Sequence, residues 1–216
     1  MVEREGVIKF QLEYEPGPPL AAEELRELNA WRRILYLLQL IGQDPHRYDG
    51  FGFGNLSRRL PPLDAPERRR PFVISGTQTG SLPELGPEHY TVVFACDAGR
   101  NRVEASGPVR PSSEALTHGI LYDLDGELQV VMHAHSPVLW RHAGTLGIPV
   151  TSAAVPYGTP EMAAEVRRLF GTADFSAGPV FAMGGHEDGV VAFGRSAEEA
   201  GTALLRQLAR ALALDR

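Results

Sequence analysis

A mixed α/β fold is what this sequence predicts, and three observations point there. Residues 8–14 alternate apolar and polar side chains, the period of a half-buried strand. Residues 21–41 and the stretch after Ser196 repeat apolar residues at helical spacing, as amphipathic helices do. Between them lie short apolar runs, such as 130–132 and 179–183, that read as buried strands interleaved with further helical segments.

Each element follows from local chemistry. Ile8, Phe10, Leu12 and Tyr14 form the buried side of the first strand, which Glu15-Pro16-Gly17-Pro18-Pro19 ends. Leu25, Leu28, Trp31, Leu35 and Leu38 make the stripe of the first helix, with Gly42 its expected C-cap. The glycines of Gly50-Phe51-Gly52-Phe53-Gly54 imply tight backbone turns, and residues 58–70, basic and proline-containing, read as a solvated loop. Strands are expected over 72–75, 90–95 and 102–105, with a turn at 97–100. Ser112 and Ser113 stand where they can cap a helix over 115–124. A strand ending at His135 leads to a helix over 137–146 closed by Gly147. Thr159 and Pro160 open another helix, 189–194 is a last strand, and Ser196-x-x-Glu199 is a capping box before the final helix.

The length of 216 residues suits one domain over 1–216, with a strand and arm over about 1–20. A net charge of -6 argues against nucleic acid as a partner. The one cysteine, Cys96, rules out an internal disulfide and suits a reducing, cytoplasmic setting. The charged N-terminal residues do not resemble a secretion signal, and no apolar run approaches the roughly 20 residues that span a bilayer, so no membrane partner is expected.

The chemistry concentrates on Val130-Val131-Met132-His133-Ala134-His135-Ser136. On a strand, His133 and His135 share a face. Two imidazoles so placed either bind one divalent metal or are buried histidines bonded to backbone. Ser75-Gly76-Thr77 after a strand is either an anion-binding turn or turn chemistry alone. Glu114 complements a helix N-terminus. His118, one turn on, is either its hydrogen-bond partner or a packed core histidine.

Taken together, Gly54-Asn55-x-Ser57, Ser75-Gly76-Thr77, Pro111-Ser112-Ser113-Glu114, His133-x-His135 and the later His186 resemble, in this order, the class II aldolase/adducin family. The resemblance runs from about Leu25 to Leu212. It implies a three-layer α/β/α sandwich around a mostly antiparallel sheet. It implies a divalent metal, zinc first and manganese, iron or cobalt otherwise, held by His133, His135 and His186, with Glu114 as resting ligand and catalytic acid/base. It implies that Asn55, Ser57, Ser75, Gly76, Thr77, Ser112 and Ser113 surround a substrate phosphate. The activity expected is that of a metal-dependent lyase or isomerase acting on a small, phosphorylated hydroxy-carbonyl substrate through a metal-stabilised enediolate. Carbon–carbon cleavage leads, with epimerisation and dehydration as related outcomes. A homo-oligomer is expected, a tetramer by resemblance. The alternative is an adducin-like binding or scaffold module.

Three features depart from the pattern. His186 stands in Gly185-His186-Glu187-Asp188-Gly189 rather than before glycine, and its two acidic neighbours are expected to support the ligand, to act as acid or base, or to face solvent. The segment between Ile148 and Tyr157 is short, where the aldolases carry a longer stretch with a tyrosine that serves a neighbouring subunit. No tyrosine follows Tyr157.

Overall fold

The computed structural model describes residues 6–215. The first five residues of the expected arm, and with them the charged start of the chain, lie outside the described residues. Strands β1 (Gln11–Pro16), β4 (Asn55–Arg59), β5 (Phe72–Ser75), β6 (Tyr90–Asp97), β7 (Arg102–Gly107), β8 (Val130–His135), β9 (Val180–Ala182) and β10 (Gly189–Gly194) form one eight-stranded sheet. Its order is β1-β7-β6-β5-β4-β8-β10-β9. Within it the β1–β7 pair is parallel and every other neighbouring pair is antiparallel. A two-residue pair, β2 (Gly42–Gln43) with β3 (Gly52–Phe53), stands apart from it.

Helices cover both faces. Helices α1 (Ala22–Leu37), α3 (Pro137–His142) and α5 (Ala197–Leu214) pack a core with Leu56, Val73, Met132, Ala134, Val190 and Ala192. Helices α2 (Ala115–Leu124) and α4 (Pro160–Thr172) pack a second core with Phe72, Ile74, Val93, Val131, Phe181 and Val191. The result is the three-layer α/β/α sandwich with a mostly antiparallel sheet. Strand β8 lies in its middle and all six of its residues are buried. Val130, Met132 and Ala134 enter the first core and Val131 the second. By the strand period, His133 and His135 therefore face the α2/α4 side.

Several boundaries move, each for a physical reason. Helix α1 stops at Leu37, and Gln39 takes a left-handed conformation. Gly42 is thus not its cap but part of β2, and Leu38 is exposed. Residues 55–59 are a strand rather than a turn leading to a loop, because Asn55, Leu56 and Ser57 pair with β8 and Ser57 to Arg59 with β5. Arg59 is buried there with its guanidinium donating to Leu63 O at 2.8 Å. Helix α3 ends at His142, and turns carry the chain to Gly147, whose φ is +71°. The first residue of α2 is Ala115. Its cap position is Glu114 rather than a serine, and Ser112 Oγ accepts from Glu114 N at 3.2 Å. Thr159 and Ser136 cap as their types predict, accepting from Met162 N and Leu139 N. Ser196 caps α5 through Glu199 N at 3.0 Å, but the Glu199 carboxylate reaches back to Arg195 N rather than to Ser196 N. Among the described residues no helix is long and apolar enough to cross a membrane.

His118 is a packed core histidine. It has no exposure, and its Nδ1 lies 2.7 Å from Ser57 Oγ. Burial, with His133 adding, holds its pKa well below the ordinary 6.5. In the unfolded chain it returns to that value, so below pH 6.5 the unfolded state takes a proton the folded state refuses. The contribution is full above the unfolded value and is lost as the pH falls through the window beneath it, at up to about 1.4 kcal/mol per pH unit. Urea unfolding with chelator at about pH 7.5 and about pH 5.5, on either side of that value, should therefore show a shallower pH dependence in His118→Gln than in the native chain.

Candidate metal centre

The site forms where the end of β8 meets the start of α2 and the loop between β9 and β10. His133 Nε2 and His135 Nε2 lie 3.1 Å apart. His186 joins them from the loop, its ring stacked on His133 at 5.2 Å and set edge-on to His135 at 4.8 Å. One nitrogen from each of the three lies within 4.8 Å of the others, and all three residues are buried. Glu114 Oε1 is 3.9 Å from His186 Nε2, while Thr117 Oγ1 donates to Glu114 Oε2 at 2.9 Å and fixes the carboxylate.

Local geometry puts His186 there. Its N–H donates to Met183 O, and Gly189 N donates back to His186 O, so the loop is two tight turns. Gly185 is required: a Cβ on it would lie 2.1 Å from Val155 O. Gly54 is required on the other side, where φ is +79° and a Cβ would lie 2.6 Å from Ile41 Cγ1 and 3.2 Å from His133 O. It lets β4 run beside β8 with Asn55 opposite His133.

Burial depresses all three imidazole pKa values. His133 falls to about 4, with a backbone hydrogen bond at Val190 opposing the shift. His135 falls well below 6.5 through burial, then through His186, His133 and Arg47. His186 does so through burial, His133 and Lys9. Neutral imidazole is the form that binds a metal. Three converging neutral nitrogens with a carboxylate beside them are a donor set that fits a divalent transition-metal ion.

The sequence-predicted anion residues are brought to the same end of the sheet, with differences. The Ser75-Gly76-Thr77 turn is joined to the Pro111-Glu114 segment by a bridge between Gly76 and Pro111. Gly76 N and Thr77 N donate to His89 O and Arg110 O, so the turn's backbone donors are engaged within the protein. Ser75 Oγ accepts from Leu56 N, and Thr77 Oγ1 donates to Gly6 O at 3.1 Å. Asn55, Ser112 and Ser113 are buried at the periphery of this cluster. Ser57 is enclosed more deeply, its hydroxyl 2.7 Å from both His118 and Tyr122 Oη.

Sequence reading missed two groups. One is Arg47 and Tyr48, gathered on Asp188, the acidic neighbour of His186 already expected as a support. Asp188 Oδ2 accepts from Tyr48 Oη at 2.6 Å and Arg47 at 3.1 Å, and the Tyr48 ring meets His135 at 4.6 Å. Burial and the Asp188 carboxylate raise the Tyr48 pKa, which keeps it a donor. Glu187 is exposed, so of the two acidic neighbours of His186 only Asp188 turns inward. The other group is Tyr157, buried with its ring 4.5 Å from that of His186, and Lys9 above it. Neither tyrosine sits in a local pattern that marks its role, and only the tertiary fold reveals these contacts.

An α/β/α sandwich with a buried histidine triad at a strand end is the class that fold and site define. Residues 38–212 match the model of the class II aldolase and adducin N-terminal domain, and the chain belongs to that family. Among solved structures it is similar to L-fuculose-1-phosphate aldolase from Thermus thermophilus, with 17% identity and a TM-score of 0.62 over 90% of this chain and 93% of that one. A second L-fuculose 1-phosphate aldolase gives 18% and 0.64 over 91% and 86%. A sugar-phosphate aldolase from Thermotoga maritima gives 17% and 0.60 over 90% and 97%. At these identities the likeness is one of fold. No curated protein matches the sequence.

The two carboxylates flanking His186 should behave differently. Asp188→Asn removes a buried charge that receives two donors, and should lower stability by about 1–3 kcal/mol in urea unfolding of the metal-free protein. Glu187→Gln, on the exposed side, should stay within about 0.5 kcal/mol of the parent.

Proposed function

We propose that this protein is a metal-dependent lyase acting on a small phosphorylated hydroxy-carbonyl compound, with carbon–carbon cleavage the reaction. The observation that carries this reading is the buried triad of His133, His135 and His186, whose ligand nitrogens converge within 4.8 Å, with Glu114 beside it. Three buried, neutral imidazoles packed together cost folding energy that apolar side chains would not. A metal offsets that cost.

In this reading His133, His135 and His186 would hold the ion, with Glu114 beside them as the further donor. A divalent cation there acts as a Lewis acid, polarising substrate oxygens and easing the build-up of negative charge beside a carbonyl. The protein's own groups do the rest. Glu114, oriented by Thr117, takes the proton from the substrate hydroxyl as the neighbouring carbon–carbon bond breaks, and returns it in the reverse direction. The electron pair of the broken bond goes to the carbon beside the carbonyl, which takes that proton back from Glu114 to complete the product and restore the carboxylate, and Tyr48, kept protonated against Asp188, lines the approach at His135. Asn55, Ser75, Ser112 and Ser113 hold the phosphate through side-chain donors, while Thr77, whose hydroxyl donates to Gly6 O, and Gly76, packed against Val109, fix the turn beside them. Ser57 supports them from below through His118 and Tyr122. The site's enclosure between sheet and α2 keeps water from the developing charge.

Metal analysis by plasma mass spectrometry tests the reading. The native protein should carry near one equivalent of zinc, manganese, iron or cobalt, and a His133→Ala, His135→Ala double variant should carry none. Native protein that stays metal-free after reconstitution sinks the proposal and favours an adducin-like binding module. On a panel of ketose and aldose phosphates, Glu114→Gln should keep its metal and lose roughly 10²–10⁴-fold in turnover.

A further inference from the structure

Of the 21 lysine and arginine side chains, a single one is lysine, Lys9. It stands in the N-terminal arm, ahead of residue 38 where the family match begins. The two side chains are not equivalent: lysine carries a compact, rotatable ammonium, arginine a broad planar fork. A chain that uses arginine everywhere else places its one side-chain ammonium beside the candidate metal centre.

The arm is fixed there. Phe10 is buried in the second core, Gln11 N donates to Asn101 O at 2.8 Å, and Asn101 Nδ2 donates to Lys9 O at 3.1 Å. From this anchor the Lys9 ammonium sits 3.5 Å above the centre of the Tyr157 ring and donates to Tyr157 O at 3.0 Å. Val7 N donates to Tyr157 Oη at 3.3 Å. The Tyr157 ring in turn lies against His186. Three residues earlier, Gly6 O accepts from Thr77 Oγ1. The arm therefore touches the Ser75-Gly76-Thr77 turn at one end and the wall of the histidine triad at the other. Three residue steps span at most about 10 Å, the order of length of a small phosphorylated sugar.

Charge gives the arm a purpose. The chain is acidic, and Glu114 places a carboxylate beside the triad. Among the described residues, Arg47 stands on the His135 side and pairs with Asp188 at 3.1 Å, whereas Lys9 stands on the His186 side. The candidate phosphate contacts are neutral hydroxyls and an amide. The Tyr157 ring lies between Lys9 and His186, with the Lys9 ammonium over it and His186 packed against it, and a cation at such a position raises affinity for anions.

We propose that residues 6–9 form a wall of the active site and that Lys9 is its specificity-determining cation, favouring anionic, phosphorylated substrates and holding Tyr157 against His186. This rests on the site reading given above. The experiment uses zinc-reconstituted protein with 2-phosphoglycolate as probe, measured by calorimetry. Lys9→Met should bind the probe roughly 10-fold or more weakly, the scale of one lost charge–charge contact, with zinc content unchanged, and Lys9→Arg should recover only part of the loss. In the native protein, acetylation of the one side-chain amine, followed by mass spectrometry, should slow when the probe is present. Equal affinity in Lys9→Met, or acetylation of Lys9 that the probe does not slow, overturns the proposal while leaving the metal site standing. Native protein that binds zinc but not the probe overturns both this inference and the phosphorylated-substrate reading. Native protein that takes up no zinc overturns the metal reading, and probe protection of Lys9 in the metal-free chain still decides this one. If Lys9→Met fails to fold, the acetylation result alone decides.

Discussion

Strand β8 is buried on both faces along its whole length, and the rest of the molecule is arranged to satisfy that constraint. A strand with neighbours on both sides and helices above and below has no water to solvate its side chains. Val130, Met132 and Ala134 meet this demand in one layer and Val131 in the other. His133 and His135 cannot meet it by hydrophobic contact. Their polar nitrogens must converge on each other, on His186 and on Glu114, or take a ligand. The position that makes them costly as core residues is the position that makes them neutral, fixed and close enough to act together.

The surrounding elements serve that strand. Strand β4 needs Gly54 to approach it and sets Asn55 beside His133. Strand β10 pairs Gly189 with His135, so the loop before it brings His186 to the triad. Helix α2 begins at Glu114, and the segment ahead of it is bridged to the Ser75-Gly76-Thr77 turn. Each element reaches the site through backbone pairing, which fixes distances more firmly than side-chain contact does. This explains how a fold can be shared at 17% and 18% identity with the fuculose-phosphate aldolases while most side chains differ. A sheet held together by backbone bonds keeps its arrangement while its cores are filled in other ways.

What was legible in the sequence was what short-range periodicity and cap chemistry determine. The His133-x-His135 strand, the helices after Thr159 and Ser196, and the order of the polar turns could all be read directly. The strand over 55–59 could not, because Arg58 and Arg59 give it the appearance of a solvated loop, and only its pairing with β5 and β8 makes it a strand. The serines before α2 looked like caps because Ser is a good cap. Here the turn places Glu114 at that position, and Ser112 accepts from the Glu114 N–H instead. The parallel β1–β7 pair joins Gln11 to Arg102 and Pro16 to Gly107, a separation in sequence that no local pattern encodes. The same holds for Asp188 with Tyr48 and for Lys9 with Tyr157, where both partners are ordinary in isolation.

The division between legible and illegible residues follows the division of labour in the site. Ligands and turns that any catalyst on this fold would need are set by strands and helix starts, and they leave motifs. The groups packed around the triad in this chain come from its periphery: Arg47 and Tyr48 from the loop before β3, Asp188 from the loop after β9, and Lys9 from the arm ahead of β1. They reach the triad through the rings of Tyr48 and Tyr157, packed on His135 and His186. Ring packing of this kind places few demands on local sequence, since it needs only an aromatic side chain at the right point in space. On the proposed reading, substrate selection would change by altering the periphery, while the buried triad, held on both sides by the sheet, stays where β8 puts it.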